Sequence, residues 1–329
     1  MQRVAVVGAG NMGSVHCAAY ADMKNAELVA VMDIRPDAAE KMASRHGCKF
    51  FTDFDKMLAV NPDVIDVCVP TPWHKEYVIR AAEAGKHIVT EKPMARTLDD
   101  CREMIEAAER AGVKFMVAHV LRFFPEFAAA KAQVDAGAVG KPAVVRTSRG
   151  GGFPIAWNDW FGKFEWSGGL VLDLIIHDFD WLRWTFGEVE RVYAKGLVER
   201  NMEHKDYALV TLRFKSGVIA HVEGTWASPS GFTVTFEVAG DGGMIEFSNK
   251  TAVPLVVARA KTEEKEAGVP IPESPTAHNP YFLELQHFID CVETGAKPCI
   301  TPEDGMRAVE ISLAALESIR TGKPVKVGG

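Results

Sequence analysis

The sequence has no long apolar run, no block of basic residues and no paired cysteine motif. No stretch reaches the roughly 18 apolar residues of a membrane helix. The net charge is −7 and the lysines and arginines are dispersed, which argues against a nucleic-acid partner. The six cysteines lie apart without a CxxC pair, so we expect thiols in a reducing, cytoplasmic setting and no disulfide or zinc framework. The opening "RVAVVGAG" is too short for a secretory h-region, so secretion is not expected.

The first 118 residues alternate between two patterns, which predicts βαβ units. Buried parallel strands are typically short runs rich in β-branched residues, as in "RVAVVG", "ELVAVMD", "VIDVCVP", "HIVTEKP" and "KFMVAH". Helical patterns lie between these runs, and two of the helical patterns end at glycine. The alternation predicts an α/β domain with a parallel sheet over residues 1–120.

After about residue 120 the pattern becomes typical of antiparallel sheets. A helix is expected over roughly 124–137, followed by a strand in "PAVVRTSRGGGFP". "ALVTLRFKSGVIAHVEGTW" and "TVTFEVAGDGGMIEFSN" each predict a hairpin. "KTEEKEAGVPIPESP" is expected on the surface, and "NPYFLELQHFIDCVETG" and "PEDGMRAVEISLAALESIRTG" are expected to be amphipathic helices. Residues 121–329 are therefore predicted to form a second α/β domain, built on a largely antiparallel open sheet.

Three glycines after the first predicted strand form a G-x-G-x-x-G pattern. Gly8 permits a tight turn, Gly10 lets the backbone approach a pyrophosphate and Gly13 allows close helix–sheet packing. Asn11 and Met12 open the following helix, whose N-terminus offers N–H groups and positive potential to phosphates. A glycine-rich turn without a ligand is the alternative, but strand, spacing and a later acidic residue agree on a dinucleotide.

That acidic residue, Asp33, ends the second predicted strand about 20 residues later, where a carboxylate binds the adenosine ribose. Ile34 follows it in the expected cofactor site. A 2′-phosphate about 4 Å from this carboxylate is repelled by on the order of 4 kcal/mol at an effective dielectric of about 20. Arg35 can soften the repulsion, although a solvated loop arginine is the more ordinary interpretation. We therefore expect NAD, with NADP less favoured.

The stretch "GGLVLDLIIHDFDWLRW" is apolar, yet it carries Asp173 and His177 four residues apart. On one continuous helix these two side chains share a face. An imidazole, with an ordinary pKa of about 6.5, suits proton transfer near neutral pH. A core histidine bonded to an N-terminal neighbour is the alternative. Asp178 and Asp180 point elsewhere on the helical wheel and are expected to be structural.

Four segments together resemble one family of oxidoreductases: "GAGNMG", "VPTPWHKEYVIRAAEAGKHIVTEKPMA", "SGGLVLDLIIHDFDWLRW" and "NPYFLELQHFID". This is the Gfo/Idh/MocA family, and the resemblance covers essentially the whole chain. It implies a Rossmann domain and an α/β domain on an open antiparallel sheet whose outer face commonly mediates oligomerisation. The motifs are most similar to those of inositol dehydrogenases, which implies polyol contacts for Arg122, Asn158 and Tyr281.

Oxidation of an alcohol by a nicotinamide needs a base for the hydroxyl proton and a cation near the developing alkoxide. Lys92 follows the strand "HIVTE" at the carboxyl edge of the sheet, where ligands bind in open parallel sheets. It is the candidate cation, with a surface lysine as the alternative. His177 is the candidate acid/base and Asp173 is its orienter, and all three are expected to contact substrate.

Further candidates follow neighbouring strands at the same edge. Thr71 and Pro72 come after "VIDVCV" and are expected on the nicotinamide side. Glu91 is expected to bond the nicotinamide ribose, and His74 either joins the cofactor site or caps the next helix. The histidines do not converge at metal-ligand spacing, so no metal is predicted.

The sequence thus predicts an NAD-dependent dehydrogenase that transfers a hydride between a secondary alcohol of an inositol-like polyol or sugar and the nicotinamide. An NADP(H)-dependent sugar reductase and a non-catalytic dinucleotide-binding regulator are the alternatives. The expected partners are a small polyol or sugar, with no nucleic acid and no membrane. Apolar residues on both faces of "VTLRF" and "TVTFEV" predict a homodimer or homotetramer through the C-terminal sheet.

Overall fold

The computed structural model describes residues 1–197, 206–229, 231–250 and 279–328, and these form two compact units. The first unit comprises residues 1–124 and 279–309. The second comprises the described residues between 125 and 250 together with 310–328. The segment "KTEEKEAGVPIPESP" lies outside the described residues, so its surface position stays a prediction.

The first unit alternates strand and helix up to residue 118, as predicted. Its strands are β1 (Gln2–Val7), β2 (Ala26–Met32), β3 (Lys49–Phe51), β4 (Val64–Val67), β5 (His87–Glu91) and β6 (Phe115–Ala118). Its helices in this part are α1 (Asn11–Asp22), α2 (Pro36–His46), α3 (Phe54–Leu58), α4 (His74–Glu83) and α5 (Leu98–Ala111). The sequence-based interpretation missed β3 and α3, which have three and five residues, because elements this short show no periodicity.

The six strands are parallel and lie in the order β3-β2-β1-β4-β5-β6, which confirms the predicted Rossmann arrangement. Strand residues such as Val4, Val6 and Val31 are fully buried, as expected of a sheet covered on both faces. The strand order reverses between β1 and β4. At such a switch point the loops after the two strands diverge and leave a crevice for a ligand.

The second unit follows residue 124 and contains most of the remaining elements. In chain order these are α6 (Pro125–Asp135), β7 (Pro142–Gly150), α7 (Phe164–Ser167), α8 (Gly169–Asp173), α9 (Ile176–Phe186), β8 (Val189–Gly196), β9 (Tyr207–Phe214), β10 (Ile219–Thr225), β11 (Thr233–Gly240) and β12 (Met244–Ser248). The described chain closes with α10 (Pro280–Thr294), α11 (Pro302–Thr321) and β13 (Val325–Lys326).

The sheet of the second unit has the order β12-β11-β7-β10-β9-β8-β13. Among the described strands, β7 and β10 pair in parallel and the other neighbours pair antiparallel, which confirms a largely antiparallel sheet. Both predicted hairpins, β9–β10 and β11–β12, are present. In β9, Val210 and Leu212 are fully buried whereas Leu209 is exposed, so one face of the strand packs on the core.

Helix α10 belongs to the first unit, whereas the sequence placed all of residues 121–329 in a second domain. Its side chains Leu285, Phe288 and Ile289 are fully buried in a core that also contains Val4 and Tyr20. An amphipathic helix packs wherever its apolar face finds cover. The periodicity of α10 shows which of its faces is apolar, but not which domain covers that face. The predicted division at residue 120 into two consecutive domains therefore differs from the observed units.

The apolar stretch that carries Asp173 and His177 is not the single helix that the sequence predicted. Asp173 is the last residue of α8 and His177 is the second residue of α9. Leu174 and Ile175 form a turn between the two helices. The inference that one continuous helix carries both Asp173 and His177 is therefore wrong.

Packing on the sheet accounts for this interruption. The N–H groups of Leu174 and Ile175 both bond to Leu170 O, at 2.9 and 3.1 Å, which ends the regular helical ladder. The turn sets Ile175 over Gly224 of β10. A Cβ at Gly224 would lie 2.4 Å from Ile175 Cγ2, so only glycine admits this close approach.

The described residues also bear on two expectations from the sequence, that the chain has no membrane helix and that it has no disulfide framework. No helix among them is both long and apolar enough to cross a membrane. All six cysteines lie within the described ranges and are free thiols, four of them buried.

Candidate functional site

The turn between β1 and α1 has the geometry that a dinucleotide needs. Gly8 has a φ of +107°, and a Cβ there would lie 2.5 Å from Cys68 O. A Cβ on Gly13 would lie 1.9 Å from Gly8 O, so α1 packs directly on the turn. Gly10 differs, because among the described residues no heavy atom beyond its chain neighbours lies within 4 Å of its Cβ position. The open space over Gly10 fits the approach of a pyrophosphate.

Helix α1 begins at Asn11 and Met12 directly after this open position. Its N-cap is Gly10, which has no side chain to accept a hydrogen bond from the first helical N–H groups. Those groups and the positive end of the helix dipole suit a phosphate. The five residues assigned to the phosphate turn all lie at this junction, and their contacts with the cofactor stay a prediction.

Asp33 follows β2 and is mostly buried. It accepts hydrogen bonds from Ala9 N at 2.8 Å and from Arg35 N at 2.9 Å. The Arg35 guanidinium adds a bidentate pair, Nε to Oδ1 and Nη2 to Oδ2, each at 2.9 Å. Burial raises the pKa of Asp33, but the hydrogen bonds from Arg35 and Ala9 outweigh it and hold the pKa below its ordinary value. Ile34, beside it, is 60% exposed, an apolar surface where the adenosine is expected.

Arg35 is therefore not the solvated loop arginine that the sequence suggested. Its guanidinium lies on the carboxylate that was expected to repel a 2′-phosphate, and it offsets part of that negative charge. An arginine at this place is also the side chain that accommodates a 2′-phosphate in dinucleotide folds. The electrostatic reason for excluding NADP is weaker than Asp33 alone implies.

The loops after β4 and β5 are tied together by His74. Thr71 and Pro72 lie in a 3₁₀ turn after β4, with Thr71 buried. His74 Nε2 lies 2.8 Å from Val69 O, and its Nδ1 lies 3.0 Å from Pro93 O. Burial lowers the pKa of His74. Both ring nitrogens face backbone carbonyls, so His74 shapes the two loops and does not cap α4.

Glu91 ends β5, and Lys92 follows it at the carboxyl edge of the sheet. Glu91 Oε2 accepts a hydrogen bond from the backbone N–H of Lys92 at 3.0 Å. Glu91 Oε1 lies 3.1 Å from His16 Nε2. The protein thus engages both carboxylate oxygens, whereas the sequence assigned Glu91 to the nicotinamide ribose. The peptide bond between Lys92 and Pro93 is cis.

His16 and Asp66 are fully buried beside this edge, and the sequence-based interpretation missed them. His16 Nδ1 lies 2.8 Å from Asp66 Oδ2. Cys68 Sγ lies 3.3 Å from both His16 Nδ1 and Asp66 Oδ1. The available signal was a polar residue inside an apolar pattern, in "SVHCAAY" and in "VIDVCV". Ionisable residues are seldom fully buried unless they are paired, so each interruption predicts a partner.

The candidate ligand atoms of His16, Asp66 and Cys68 lie within 4.8 Å of one another. Direct hydrogen bonds already connect the three side chains. Burial raises the pKa of Cys68 well above its ordinary value, which opposes the thiolate that a metal requires. Hydrogen bonding accounts for the cluster, and the absence of a metal site stays a prediction.

Two of the residues expected to contact a polyol, Tyr281 and Arg122, lie in the first unit. Tyr281 of α10 is mostly buried, and its ring centroid lies 6.4 Å from that of His16. Arg122 lies in a 3₁₀ turn after β6, where its Nη1 donates to Cys299 O at 3.0 Å and lies 3.3 Å from Asp304 Oδ2. Arg122 therefore fixes the segment before α11 through these contacts.

The remaining candidates, Asn158, Asp173 and His177, belong to the second unit. Asn158 is exposed and has a φ of +56°, a conformation in which asparagine is enriched. Asp173 is buried and His177 is half-buried. Asp178, expected to be structural, forms a buried ion pair with Arg149, with 2.7 Å between Oδ2 and Nε.

Residues 2–119 match the family model described as "Oxidoreductase family, NAD-binding Rossmann fold", and residues 127–246 match "GFO/IDH/MocA C-terminal domain". The chain is 33% identical over 336 residues to scyllo-inositol 2-dehydrogenase (NAD(+)) of Bacillus subtilis strain 168, covering 99% of this chain and 96% of that protein. It is 33% identical over 334 residues to myo-inositol 2-dehydrogenase of Thermotoga maritima, covering 99% of this chain and 98% of that protein.

Among solved structures, it is similar to GenD2 from gentamicin A biosynthesis in complex with NAD. The TM-score is 0.89 at 26% identity, over 100% of this chain and 97% of that chain. The chain therefore belongs to the Gfo/Idh/MocA family of oxidoreductases, and its first unit is an NAD-binding Rossmann domain.

Proposed function

We propose that the protein is an NAD-dependent dehydrogenase that oxidises a secondary hydroxyl group of an inositol-like cyclic polyol and catalyses the reverse reduction. The observation that carries this proposal is Lys92, which follows β5 at the carboxyl edge of the same sheet that presents the open glycine turn and Asp33. A binding protein needs the turn but not a lysine at that edge. The two relatives at 33% identity, both inositol 2-dehydrogenases, support the substrate class.

Each proposed catalytic residue has one role in this reaction. NAD, when bound, supplies the hydride acceptor. The Lys92 ammonium binds the reacting oxygen and stabilises its developing negative charge. His177 takes the hydroxyl proton as general base and returns it in the reduction. Asp173 orients the imidazole or the substrate, and it does so from the end of α8, not from the same helix as His177.

The proposed substrate contacts beyond these three have unequal support. Tyr281 lies beside His16, whose ring also faces Glu91 at the end of β5. Asn158 is exposed, and its side-chain amide can both donate and accept hydrogen bonds with hydroxyl groups. Arg122 is engaged by Cys299 and Asp304, so we assign it to shaping the site through that segment.

A polyol panel tests the proposal directly. Purified protein is mixed with NAD and a series of inositols, sugars and acyclic polyols, and formation of reduced nicotinamide is followed by absorbance. We expect turnover with at least one cyclic polyol and a loss of roughly 10²- to 10⁴-fold in His177→Asn, the usual contribution of a positioned acid/base. His87→Asn, which alters a half-buried histidine at the start of β5, is the matched control and should retain turnover.

Two outcomes of that assay contradict the proposal. One is the absence of turnover with every polyol and sugar while NAD binds normally, which would favour a dinucleotide-binding regulator. The other is a His177→Asn protein that unfolds readily but turns over normally when cold, because that pattern belongs to a core histidine.

An NADP(H)-dependent sugar reductase is the second candidate, and Arg35 is the observation that favours it. Its guanidinium forms a bidentate contact with Asp33, and a rotation of the Arg35 side chain from that position would bring the guanidinium into contact with a 2′-phosphate. Tighter binding of NADPH than of NADH, together with turnover of keto-sugars and not of polyols, would establish this candidate over the first.

We also propose that the outer face of the second unit's sheet joins copies of the chain into a dimer or tetramer. Tyr193 of β8 and Leu209 of β9 are 38% and 42% exposed on this face. The apolar residues of "VTLRF" and "TVTFEV" all lie on the core face, so the expectation of apolar residues on both faces of these runs is wrong. The assembly proposal therefore rests on exposed apolar side chains such as Tyr193 and Leu209, which a neighbouring copy would cover. Leu209→Glu should lower the mass measured by light scattering, and a single-chain mass for the wild-type protein at micromolar concentration would contradict the assembly.

The six free thiols support a reducing, cytoplasmic location. Of these, Cys299 is exposed and the others are buried or half-buried. Cell fractionation of the source organism tests the location, and recovery outside the cytoplasm would contradict it.

A further inference from the structure

The buried group formed by Asp66, His16 and Glu91 connects three elements beneath the carboxyl edge of the first sheet. His16 comes from α1, Asp66 from β4 and Glu91 from the end of β5. His16 Nδ1 lies 2.8 Å from Asp66 Oδ2, and its Nε2 lies 3.1 Å from Glu91 Oε1. The first contact is a hydrogen bond, and the second is an ion-pair contact outside hydrogen-bond geometry. Each ring nitrogen therefore faces a carboxylate.

This arrangement favours an imidazolium at His16. A neutral imidazole carries one N–H, so its other nitrogen would direct a lone pair at a carboxylate oxygen. An imidazolium presents N–H groups to both. Burial lowers the pKa of His16, but the charge of Asp66 and its hydrogen bond outweigh burial, so the pKa lies well above the ordinary 6.5.

The other polar groups near His16 leave this assignment in place. Cys68 Sγ lies 3.3 Å from His16 Nδ1, and burial keeps this thiol protonated by raising its pKa. Burial likewise raises the pKa of Tyr20, on α1, well above its ordinary value. From α10, the ring of Tyr281 lies 6.4 Å away. The charged groups that face the imidazolium from these elements are thus Asp66 and Glu91.

Glu91 carries the effect of His16 to Lys92. Its Oε1 faces His16, and its Oε2 accepts the backbone N–H of Lys92 at 3.0 Å. Burial raises the pKa of Glu91, but the imidazolium outweighs it and holds the pKa below the ordinary 4.5. An ionised carboxylate accepts the Lys92 N–H more strongly than a neutral acid does.

We propose that His16 is a positioning residue for hydride transfer: it holds Glu91 as a carboxylate that fixes the backbone of Lys92 at the end of β5. The proposal rests on the proposed function for the role of Lys92, but not for the contacts themselves. A lysine ammonium sits on a flexible stem, so its placement depends on a fixed backbone. Small displacements of a reacting group cost turnover out of proportion to their size.

Two neutral replacements separate this role from simple core packing. Glu91→Gln keeps an oxygen that can accept the Lys92 N–H but removes the charge, and His16→Gln removes the imidazolium. Each variant should lower kcat by roughly 10- to 100-fold, with little change in the Kd of NAD. The double variant should be no slower than the slower single variant, because both changes act through one carboxylate.

A control variant and a second measurement complete the test. Cys101→Ala removes a buried thiol on α5 of the same unit, outside the group formed by His16, Asp66 and Glu91, and its kcat should stay within about twofold of wild type, as expected of a site with no shared partners. Hydrogen exchange at the Lys92 amide measures the positioning without turnover, and protection should fall in His16→Gln and in Glu91→Gln but not in Cys101→Ala. If His16→Gln fails to fold, Glu91→Gln gives the same two measurements.

The outcomes are distinguishable from failure of the proposed function. A wild-type protein without polyol turnover contradicts the function, while the amide exchange still decides the positioning role. Unchanged protection of the Lys92 amide in both variants overturns the role of His16. So do losses of kcat that multiply in the double variant, because independent effects do not share a carboxylate.

Discussion

A methyl group at Gly10 should separate cofactor binding from folding. The backbone of Gly10 has a φ of −83°, which alanine adopts without strain, and the described part of the chain places no heavy atom other than those of adjoining residues within 4 Å of the new Cβ. Gly10→Ala should therefore leave the free energy of unfolding unchanged or raise it by about 0.4–1 kcal/mol, since alanine reduces the entropy of the unfolded chain. The same methyl group occupies the space that a pyrophosphate needs.

The expected loss of NAD affinity follows from the contacts displaced. If the methyl group moves the phosphates away from two helix N–H groups, two charge-assisted hydrogen bonds of about 1.5 kcal/mol each are lost. That sum of about 3 kcal/mol corresponds to roughly a 100-fold increase in Kd. The matched variant is Gly13→Ala, whose Cβ would lie 1.9 Å from Gly8 O. Overpacking of this kind costs about 1–3 kcal/mol of stability.

Chemical denaturation and fluorescence titration with NAD measure the two effects separately. We expect Gly10→Ala to be stable and weak in NAD binding, and Gly13→Ala to be unstable. A Gly10→Ala protein that is as stable as wild type and binds NAD equally well would refute the assignment of the open space to the pyrophosphate. A Gly13→Ala protein with unchanged stability would show that the α1 contact with the turn is looser than described.

Three further predictions concern charged pairs. Asp33→Ser should lower the ratio of the NADP to the NAD dissociation constant, because it frees the Arg35 guanidinium for a 2′-phosphate, and adding Arg35→Ala should raise that ratio again in part. Titration with both cofactors measures the ratio, and equal ratios in the single and double variants would contradict the role of Arg35. Because the pKa of His16 is raised in the folded protein, the stability that its charge contributes is fully present below pH 6.5 and is lost as the pH rises through the folded-state pKa. The free energy of unfolding should therefore decline above pH 6.5 in wild type and not in His16→Gln, and the same dependence of that free energy on pH in both proteins would count against the imidazolium. Asp178→Ala should destabilise the protein by about 3–5 kcal/mol, because it leaves the buried Arg149 guanidinium without its carboxylate. Replacing both partners, with Asp178→Leu and Arg149→Met, should recover much of that loss. Urea unfolding measures both effects, and a small effect of Asp178→Ala would be inconsistent with a buried ion pair.

The Rossmann sheet was predictable because its signals are local. Strands buried on both faces are short runs of β-branched residues, and each is followed by a helical pattern. The glycine turn could be located for the same reason, since Gly8 and Gly13 are required by contacts within one β–α junction. Hairpins such as β9–β10 are also local, with a short turn between two alternating runs.

The missed features depend on packing between distant parts of the chain. The periodicity over Asp173 and His177 is helical throughout, but Ile175 packs on Gly224 and the helix breaks there. The placement of α10 depends on the core that covers its apolar face, which its own sequence does not encode. The bidentate geometry of Arg35 likewise depends on a rotamer, which no pattern of residue types shows.

The buried charges of His16, Asp66 and Glu91 show which sequence signal was available for this group. Moving a lone ion into a protein interior is so unfavourable that it either neutralises or finds a partner. His16 in an apolar helix and Asp66 in an apolar strand thus each required a partner, and the parallel order of β1, β4 and β5 brings their elements together. Glu91 adds a second negative charge, which a single imidazolium cannot fully offset. The excess negative charge lies at the carboxyl edge of the sheet, next to Lys92, whose ammonium has the central role in the proposed reaction.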